Sequence, residues 1–222
     1  MDVQRVLYIG NKNYSSWSLR PWLLLKQAGI EFQERRLAIF SDEFRDVIGR
    51  LSPAGRVPVL KDGDLVIWDS LAICEYIAEQ YPHSHAWPEA VAARAHARAI
   101  CAEMHSGFPA LRNHMPMDCR NRDLAGSVVI EGKLAGETQR IREMWRECRE
   151  KYAGDGPFLF GHFSIADCMY APVVFRFRTY LPPLGDLEQA YCHTLLALPA
   201  MREWLEASEL ETETIDYSNI TV

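Results

Sequence analysis

No two of the six cysteines stand in a Cys-x-x-Cys spacing, and no short Cys/His cluster has the make-up a zinc site needs. That absence removes zinc ribbons and fingers, which need four close ligands, and leaves buried, reduced thiols as the plain reading of Cys74, Cys101, Cys119, Cys148, Cys168 and Cys192. The chain also lacks any Lys/Arg block, and its formal charge is -6. Without a cationic field there is little to attract a phosphate backbone, so no nucleic-acid partner is expected. No apolar run approaches the ~18 residues that a bilayer span requires, and Met1-Asp2-Val3-Gln4-Arg5 lacks the apolar stretch of a signal peptide. No repeat of fixed period and no low-complexity segment is present. These absences lead to the expectation of a cytoplasmic protein in a reducing compartment, with neither a membrane partner nor a metal.

What the chain has in quantity is apolar surface. Of 222 residues, 48% are hydrophobic and 11% aromatic, enough for a sizeable core in one large domain or two small ones. Val3 to Ile9 reads as a first strand. After the polar loop Gly10-Asn11-Lys12-Asn13, the apolar spacing from Leu19 to Ala28 predicts a helix ending at Gly29, and Pro21, tolerable in a first turn, puts its start near Ser18. Phe32 to Leu37 predicts a second strand, and Ser41-Asp42-Glu43 opens a short helix to Gly49. Val57 to Leu60, a turn over Lys61-Asp62-Gly63-Asp64, and Leu65 to Trp68 predict a β-hairpin, followed by a helix from Ser70 to Tyr81. The order is βαβ, then α, then ββα: an α/β domain over 1–82.

Residues 82–89 carry Pro82 and Pro88 around a polar centre and read as a linker with little to pack. Beyond it, over 90–222, only helices are predicted: Ala90 to Met115, Ala125 to Tyr152, Ile165 to Phe177 and Tyr191 to Glu206. In the second of these, Ile141, Trp145, Cys148 and Tyr152 fall on one face. The acidic tail after Glu209 is expected to be loosely held.

Four short segments fall in an order that resembles the glutathione transferase superfamily, nearest its zeta-like, serine-type bacterial members. Ser15-Ser16-Trp17-Ser18-Leu19-Arg20 is similar to the serine-bearing start of that family's first helix, and Val57-Pro58 to its cis-proline turn. Asp69-Ser70 is similar to its acid-serine pair after the hairpin, and Ser164-Ile165-Ala166-Asp167 to the capping box of its helical domain. The resemblance implies a thioredoxin-like N-terminal domain, an all-α C-terminal domain, glutathione as co-substrate and a homodimer. It also brings one departure, since Trp17 stands where the zeta pattern carries cysteine.

Each segment then acquires an expected role. A cysteine thiol has a pKa of ~8.5, and only its thiolate is a strong nucleophile, so such an enzyme must stabilise a sulfur anion. A hydroxyl at the positive end of a helix can do so, which makes Ser15 the candidate donor and Ser16 its neighbour by one step of register. Ser15 to Ser18 holds no sulfur, so dithiol exchange is excluded at this corner. Val57-Pro58 would offer backbone groups to the cysteinyl part of glutathione. Asp69 and Ser70, at a helix start, would take its γ-glutamyl ammonium and carboxylate. Arg56 is a weaker candidate for its glycyl end. Ser164 and Asp167 read as structural.

The second-substrate pocket is expected between the loop Asn11 to Trp17 and the helix after the linker, lined by Tyr14, Trp17, Phe108, Leu111 and Met115. Its aromatic lining favours a small hydrophobic electrophile. His105 and Arg112 share that stretch and read equally well as solvent-facing. The resemblance leaves three activities open: thiolate addition or peroxide reduction, a zeta-like maleylacetoacetate isomerisation, and a non-enzymatic binding protein with the same fold. For the isomerase, the family's substrate-holding arginine aligns with Thr179, with Arg176 and Arg178 nearby.

Overall fold

The fold is that of a computed structural model in which residues 5–122 and 124–215 are described. Strand β1 (Arg5–Ile9) lies between β2 (Gln33–Arg36), to which it is parallel, and β3 (Val59–Asp62), to which it is antiparallel. β4 (Leu65–Ile67) completes the order β2-β1-β3-β4. With α1 (Ser16–Gln27), α2 (Asp42–Leu51) and α3 (Ser70–Gln80), this is a thioredoxin-like domain. Val3 and Gln4, expected in the first strand, lie outside the described residues.

Alternation along β1 decides how the sheet is covered. Leu7 and Ile9 join the large core that holds α1 and α3, whereas Tyr8 packs with Leu37 and Val59 against Phe44 and Ile48 of α2. Neighbouring side chains leave a strand on opposite faces, so a strand apolar on both rows needs helices on both sides. The hairpin is tighter than expected. Pairing continues to Asp62 opposite Leu65, leaving Gly63-Asp64 as a two-residue turn in which Gly63 takes a φ of +59°.

The C-terminal part contains α4 (Val91–Ser106), α5 (Pro109–His114), α6 (Gly132–Tyr152), α7 (Ile165–Tyr180), α8 (Asp186–Ala197) and α9 (Pro199–Glu209). Two helices expected to be continuous are broken. The stretch from Ala90 to Met115 divides at Gly107-Phe108, where Phe108 adopts a φ of +63° and Pro109 restarts the chain as the first residue of α5. The stretch from Tyr191 to Glu206 divides at Leu198, ahead of Pro199. A proline has no N–H to continue a preceding helix but suits the first position of a new one, while apolar periodicity runs on across the break because both pieces face the same core. The helix expected from Ala125 starts at Gly132, and α7 continues past Phe177 to Tyr180.

Residues 82–89 pack more firmly than expected. After a 3-10 turn at Pro82–Ser84, Ala86 and Trp87 enter the core; Trp87 Nε1 donates to Glu75 Oε2 at 2.9 Å and Ile165 N donates to the Ala86 carbonyl at 2.9 Å. An indole can bury its ring while giving its N–H to a carboxylate, which a count of polar residues does not register.

One hydrophobic cluster runs from Leu7 through α1 and α4 to Trp204 of α9, with α7 buried along nearly its whole length. The start of α7 is fixed by a complete capping box. Ser164 N and Oγ donate to Asp167 Oδ2 at 2.9 and 3.0 Å, while Leu159 N and the Tyr191 hydroxyl donate to Oδ1 at 3.2 and 3.0 Å. Burial lifts the Asp167 carboxyl to about 6, against the pull of these four bonds. The tail is not loose as far as it is described: Glu211 is buried and Glu213 pairs with Arg36. Residues 216–222 lie outside the described residues. Among the described residues no helix is long and apolar enough to cross a membrane.

Candidate active site

The loop after β1 turns on Asn11, whose carbonyl accepts from Tyr14 N at 3.1 Å and Ser15 N at 2.8 Å. Ser15 is the N-cap of α1. Its Oγ accepts from Ser18 N at 3.4 Å and shares a hydrogen bond with Ser18 Oγ at 2.7 Å, and Ser18 Oγ accepts from Gly10 N at 3.1 Å. Leu19 N reaches the Ser15 carbonyl at 3.3 Å, so the helix begins at Ser16 rather than near Ser18, and Pro21 falls beyond its first turn. Ser16 N donates to the Tyr14 carbonyl at 2.9 Å, and the aligned peptides of the helix give this end a partial positive charge.

Two cavities meet there. One, of about 350 Å³, has Ser15 and Ser16 on its wall with Tyr14, Trp17, Ile39, Phe40 and Phe44, and opposite them Arg112, Pro116, Met117 and Arg176. The other, of about 620 Å³, is lined by Pro58, Trp68, Asp69, Ser70, His105 and Ser106. Trp17, Arg56 and Val57 border both, so the two adjoin. Nine of the expected site residues therefore converge: Tyr14, Ser15, Ser16, Trp17, Arg56, Val57, Pro58, Asp69 and Ser70. Phe108, Leu111 and Met115 do not; they are buried in the core. Ala110 N and Leu111 N donate to Glu137 of α6 at 3.2 and 2.7 Å, which commits the apolar side of α5 inward and leaves Arg112 to the cavity.

The larger cavity has three distinctive edges. The Val57-Pro58 peptide is cis, and the register of β3 against β1 begins only at Val59, so Val57 lies beyond the paired strand. Asp69 caps α3 through Oδ1, which accepts from Leu71 N at 3.0 Å and Ala72 N at 3.3 Å, while Oδ2 lies 2.8 Å from His105 Nε2. Ser70 Oγ and His105 Nδ1 are buried without a partner among the described residues. Arg56 is exposed at the rim.

The smaller cavity is more cationic than its sequence suggested. The Trp17 ring is flanked by the guanidinium groups of Arg20 at 4.1 Å and Arg112 at 4.6 Å, with the His105 ring 5.1 Å away edge-on. Arg112 is held by the Gly107 carbonyl at 3.1 Å and the Met104 carbonyl at 2.5 Å; Arg176 Nε donates to the Met115 carbonyl at 2.8 Å. Full burial, then the nearby charges of Arg112 and Arg176, push the Arg20 guanidinium well below its usual range, and burial lowers Arg112 too. Among the described residues, Arg56, Arg112 and Arg176 line this space and no Asp or Glu does. Thr179 instead donates to the Asp118 carbonyl at 2.9 Å, and Arg178 to that of Cys119 at 2.9 Å. Among the described residues no group of three His, Cys, Asp or Glu is placed to hold a metal ion.

The family models described as the N-terminal and C-terminal domains of glutathione S-transferase match residues 14–80 and 131–207. A probable maleylacetoacetate isomerase of Caenorhabditis elegans is 30% identical over 206 residues, covering 88% of this chain and 90% of its own. This chain belongs to the glutathione S-transferase family. Glutathione S-transferase 1 of Dianthus caryophyllus is 37% identical over 202 residues, covering 83% and 86%. A bacterial maleyl pyruvate isomerase, described as a glutathione S-transferase of the zeta class, superposes with a TM-score of 0.72 at 22% identity over 94% of this chain and all of that one, a likeness of fold.

In this chain, Arg112, Arg176 and His105, which sequence reasoning named without assigning to a site, line the two cavities, and Arg20 beside Trp17 is the cation that it passed over. Arg176 sits in an otherwise apolar run of α7, Val173-Val174-Phe175-Arg176-Phe177, and an arginine flanked by buried apolar residues is the signal that points to it. Arg112 and His105 carried no such signal, because their helix breaks between them.

Proposed function

We propose that this glutathione S-transferase binds glutathione in the larger cavity and holds its sulfur as a thiolate with the Ser15 hydroxyl. The observation that carries the reading is the position of Ser15: an N-cap hydroxyl on a cavity wall, with an adjoining cavity bordered by Val57-Pro58 and the start of α3. In the larger cavity, the backbone of Val57 would pair with the cysteinyl unit as an added strand does. The Ser70 hydroxyl, at the positive end of α3, would receive the γ-glutamyl carboxylate, and Asp69 its ammonium.

The serine cluster suits an anion. The Ser15 hydroxyl donates to Ser18 Oγ, which also accepts from Gly10 N. A hydroxyl has one proton and two acceptor sites, so when a sulfur anion arrives the two hydroxyls would rotate, Ser18 donating to Ser15 Oγ and the Ser15 proton turning to the sulfur. That bond is charge-assisted and is reinforced by the positive end of α1. Preorganised donors of this kind contribute roughly a hundredfold in rate, since the charge they meet is the one that reacts. The thiolate then adds to an electrophilic carbon in the neighbouring cavity, or attacks a peroxide oxygen, breaking the O–O bond with loss of alkoxide to give the sulfenic acid of glutathione, which a second glutathione thiol reduces to the disulfide and water.

Tyr14, Trp17 and Phe40 suit an apolar body there, while Arg112 and Arg176 favour an electrophile that also bears a carboxylate. That pair of arginines supports a second reading, isomerisation of an unsaturated dicarboxylate through reversible thiolate addition; two of the similar proteins are named as isomerases, of maleylacetoacetate and of maleyl pyruvate. Retention on immobilised glutathione separates either enzyme from a binding protein that has lost the site. Turnover with Ser15→Ala tests the mechanism: unchanged rate and unchanged titration of the bound thiol would refute the serine. Maleylacetone isomerised by the parent protein would select the second reading, and simple addition without isomerisation the first.

A further inference from the structure

The loop that presents Ser15 is gripped from the far end of the chain. Glu211 Oε1 accepts from Lys12 N at 2.6 Å and Oε2 from Asn13 N at 3.0 Å, contacts that bridge 199 and 198 residues. The carbonyls of the same two residues are held as well. Trp204 Nε1 donates to the Lys12 carbonyl at 2.8 Å, and Cys119 N donates to that of Asn13 at 3.2 Å. Lys12 and Asn13 lie inside the turn closed by Tyr14 N and Ser15 N on the Asn11 carbonyl, so their orientation sets where Ser15 leaves the turn.

The grip has its own supports. Arg120 donates to the Glu211 carbonyl, to the Glu213 carbonyl at 3.0 Å and to the Tyr14 hydroxyl at 2.9 Å, tying the tail to a side chain on the cavity wall. Arg36 Nη1 stands 3.7 Å from Glu211 Oε1. A tail that only covered apolar surface would need no carboxylate, and a buried one is costly unless its oxygens are matched. Burial raises the Glu211 carboxyl above its ordinary range despite those two N–H bonds and Arg36, so the contact is kept against a desolvation cost.

We propose that Glu211 is a positioning residue for Ser15, its two carboxylate oxygens holding consecutive N–H groups of the turn so that the hydroxyl meets the glutathione sulfur. The proposal rests on the reading of Ser15 as thiolate donor. Both oxygens are needed. Glu211→Gln keeps one acceptor and sets an NH₂ against the second N–H; Glu211→Asp keeps the charge but is one methylene short.

The test uses the full chain with each substitution, alongside Ser15→Ala. Three quantities are measured: amide exchange over residues 11–17, ultraviolet titration of the thiol of bound glutathione, and kcat and KM for glutathione with a neutral electrophile. Expected for Glu211→Gln are faster exchange in the segment, a thiol titrating closer to its free value, and a kcat about tenfold lower at a KM within about twofold. Glu211→Asp should show the same shifts, whereas a role of charge alone would be rescued by it and would overturn the proposal. A tail with a merely structural role would lower the unfolding midpoint and leave the thiol titration of the folded protein where it was, which also overturns it. Should Ser15→Ala leave the titration unmoved, the serine reading itself falls and takes the positioning role with it. If Ser15→Ala moves the titration and neither Glu211 variant does, only the role of Glu211 is lost.

Discussion

At the start of α7, Ser164 is fully buried and its capping box closes on itself: one carboxylate, Asp167, collects four donors. At the start of α1, Ser15 is likewise a cap, but its partner is another hydroxyl, Ser18, and its other side faces a cavity. Both segments put serine before a buried helix. The difference lies in what terminates the hydrogen-bond chain. An acid ends it, because a carboxylate only accepts; a serine passes it on, because a hydroxyl donates as readily as it accepts. A sealed helix start is thus a device for stability, and an open one a place where an external anion can complete the pattern.

That contrast breaks most visibly at α7. Asp167→Ala strands Leu159 N, Ser164 N and the Tyr191 hydroxyl in the core, so urea unfolding should show a loss of about 3–5 kcal/mol. The same site carries a pH signature. Its carboxyl is raised from 3.8 to about 6 in the folded protein, so the folded chain holds this proton more tightly than the unfolded one. The resulting contribution is complete below about pH 4 and is lost as pH rises through about 6, an amount of roughly 3 kcal/mol. Asp167→Asn should flatten that part of the stability-pH curve, and an unchanged slope would remove Asp167 as its source.

At α1 the pattern should invert, with chemistry lost and stability largely kept. Ser15→Ala is expected to reduce glutathione turnover roughly a hundredfold while costing about 1 kcal/mol of stability as a lost cap. A larger stability loss with normal turnover would make α1 another α7. Arg176→Gln sharpens the open side of the contrast: the preference for a carboxylate-bearing electrophile over its neutral analogue, read as a ratio of kcat/KM, should fall about tenfold. The smallest effect belongs to Ser16→Ala, expected to change turnover by less than about threefold. A large loss there would move the donor by one residue.

The same contrast explains which parts of the molecule could be read from sequence. Strand and helix order, the Ser41 and Ser164 caps and the hairpin were legible because apolar periodicity, cap residues and turn glycines act within a few residues. The breaks at Gly107-Phe108 and Leu198-Pro199 were missed because both flanks keep one apolar face. Convergence of Ser15, Val57 and Asp69 followed from the resemblance in plan. The apolar pocket wall expected from Phe108, Leu111 and Met115 gave way to Arg112 and Arg176, since a helical apolar residue belongs to whichever surface its helix meets, and α5 meets α6.

By itself, then, the amino-acid order determined the elements, their caps and the serine-rich start of α1, because those depend on neighbours along the chain. The tertiary structure alone decided that Trp17 lies between Arg20 and Arg112, that Arg176 reaches the cavity, and that Glu211 holds Lys12 and Asn13. Pairings across such separations are chosen by how whole helices pack, and packing leaves no periodic mark on the residues it brings together.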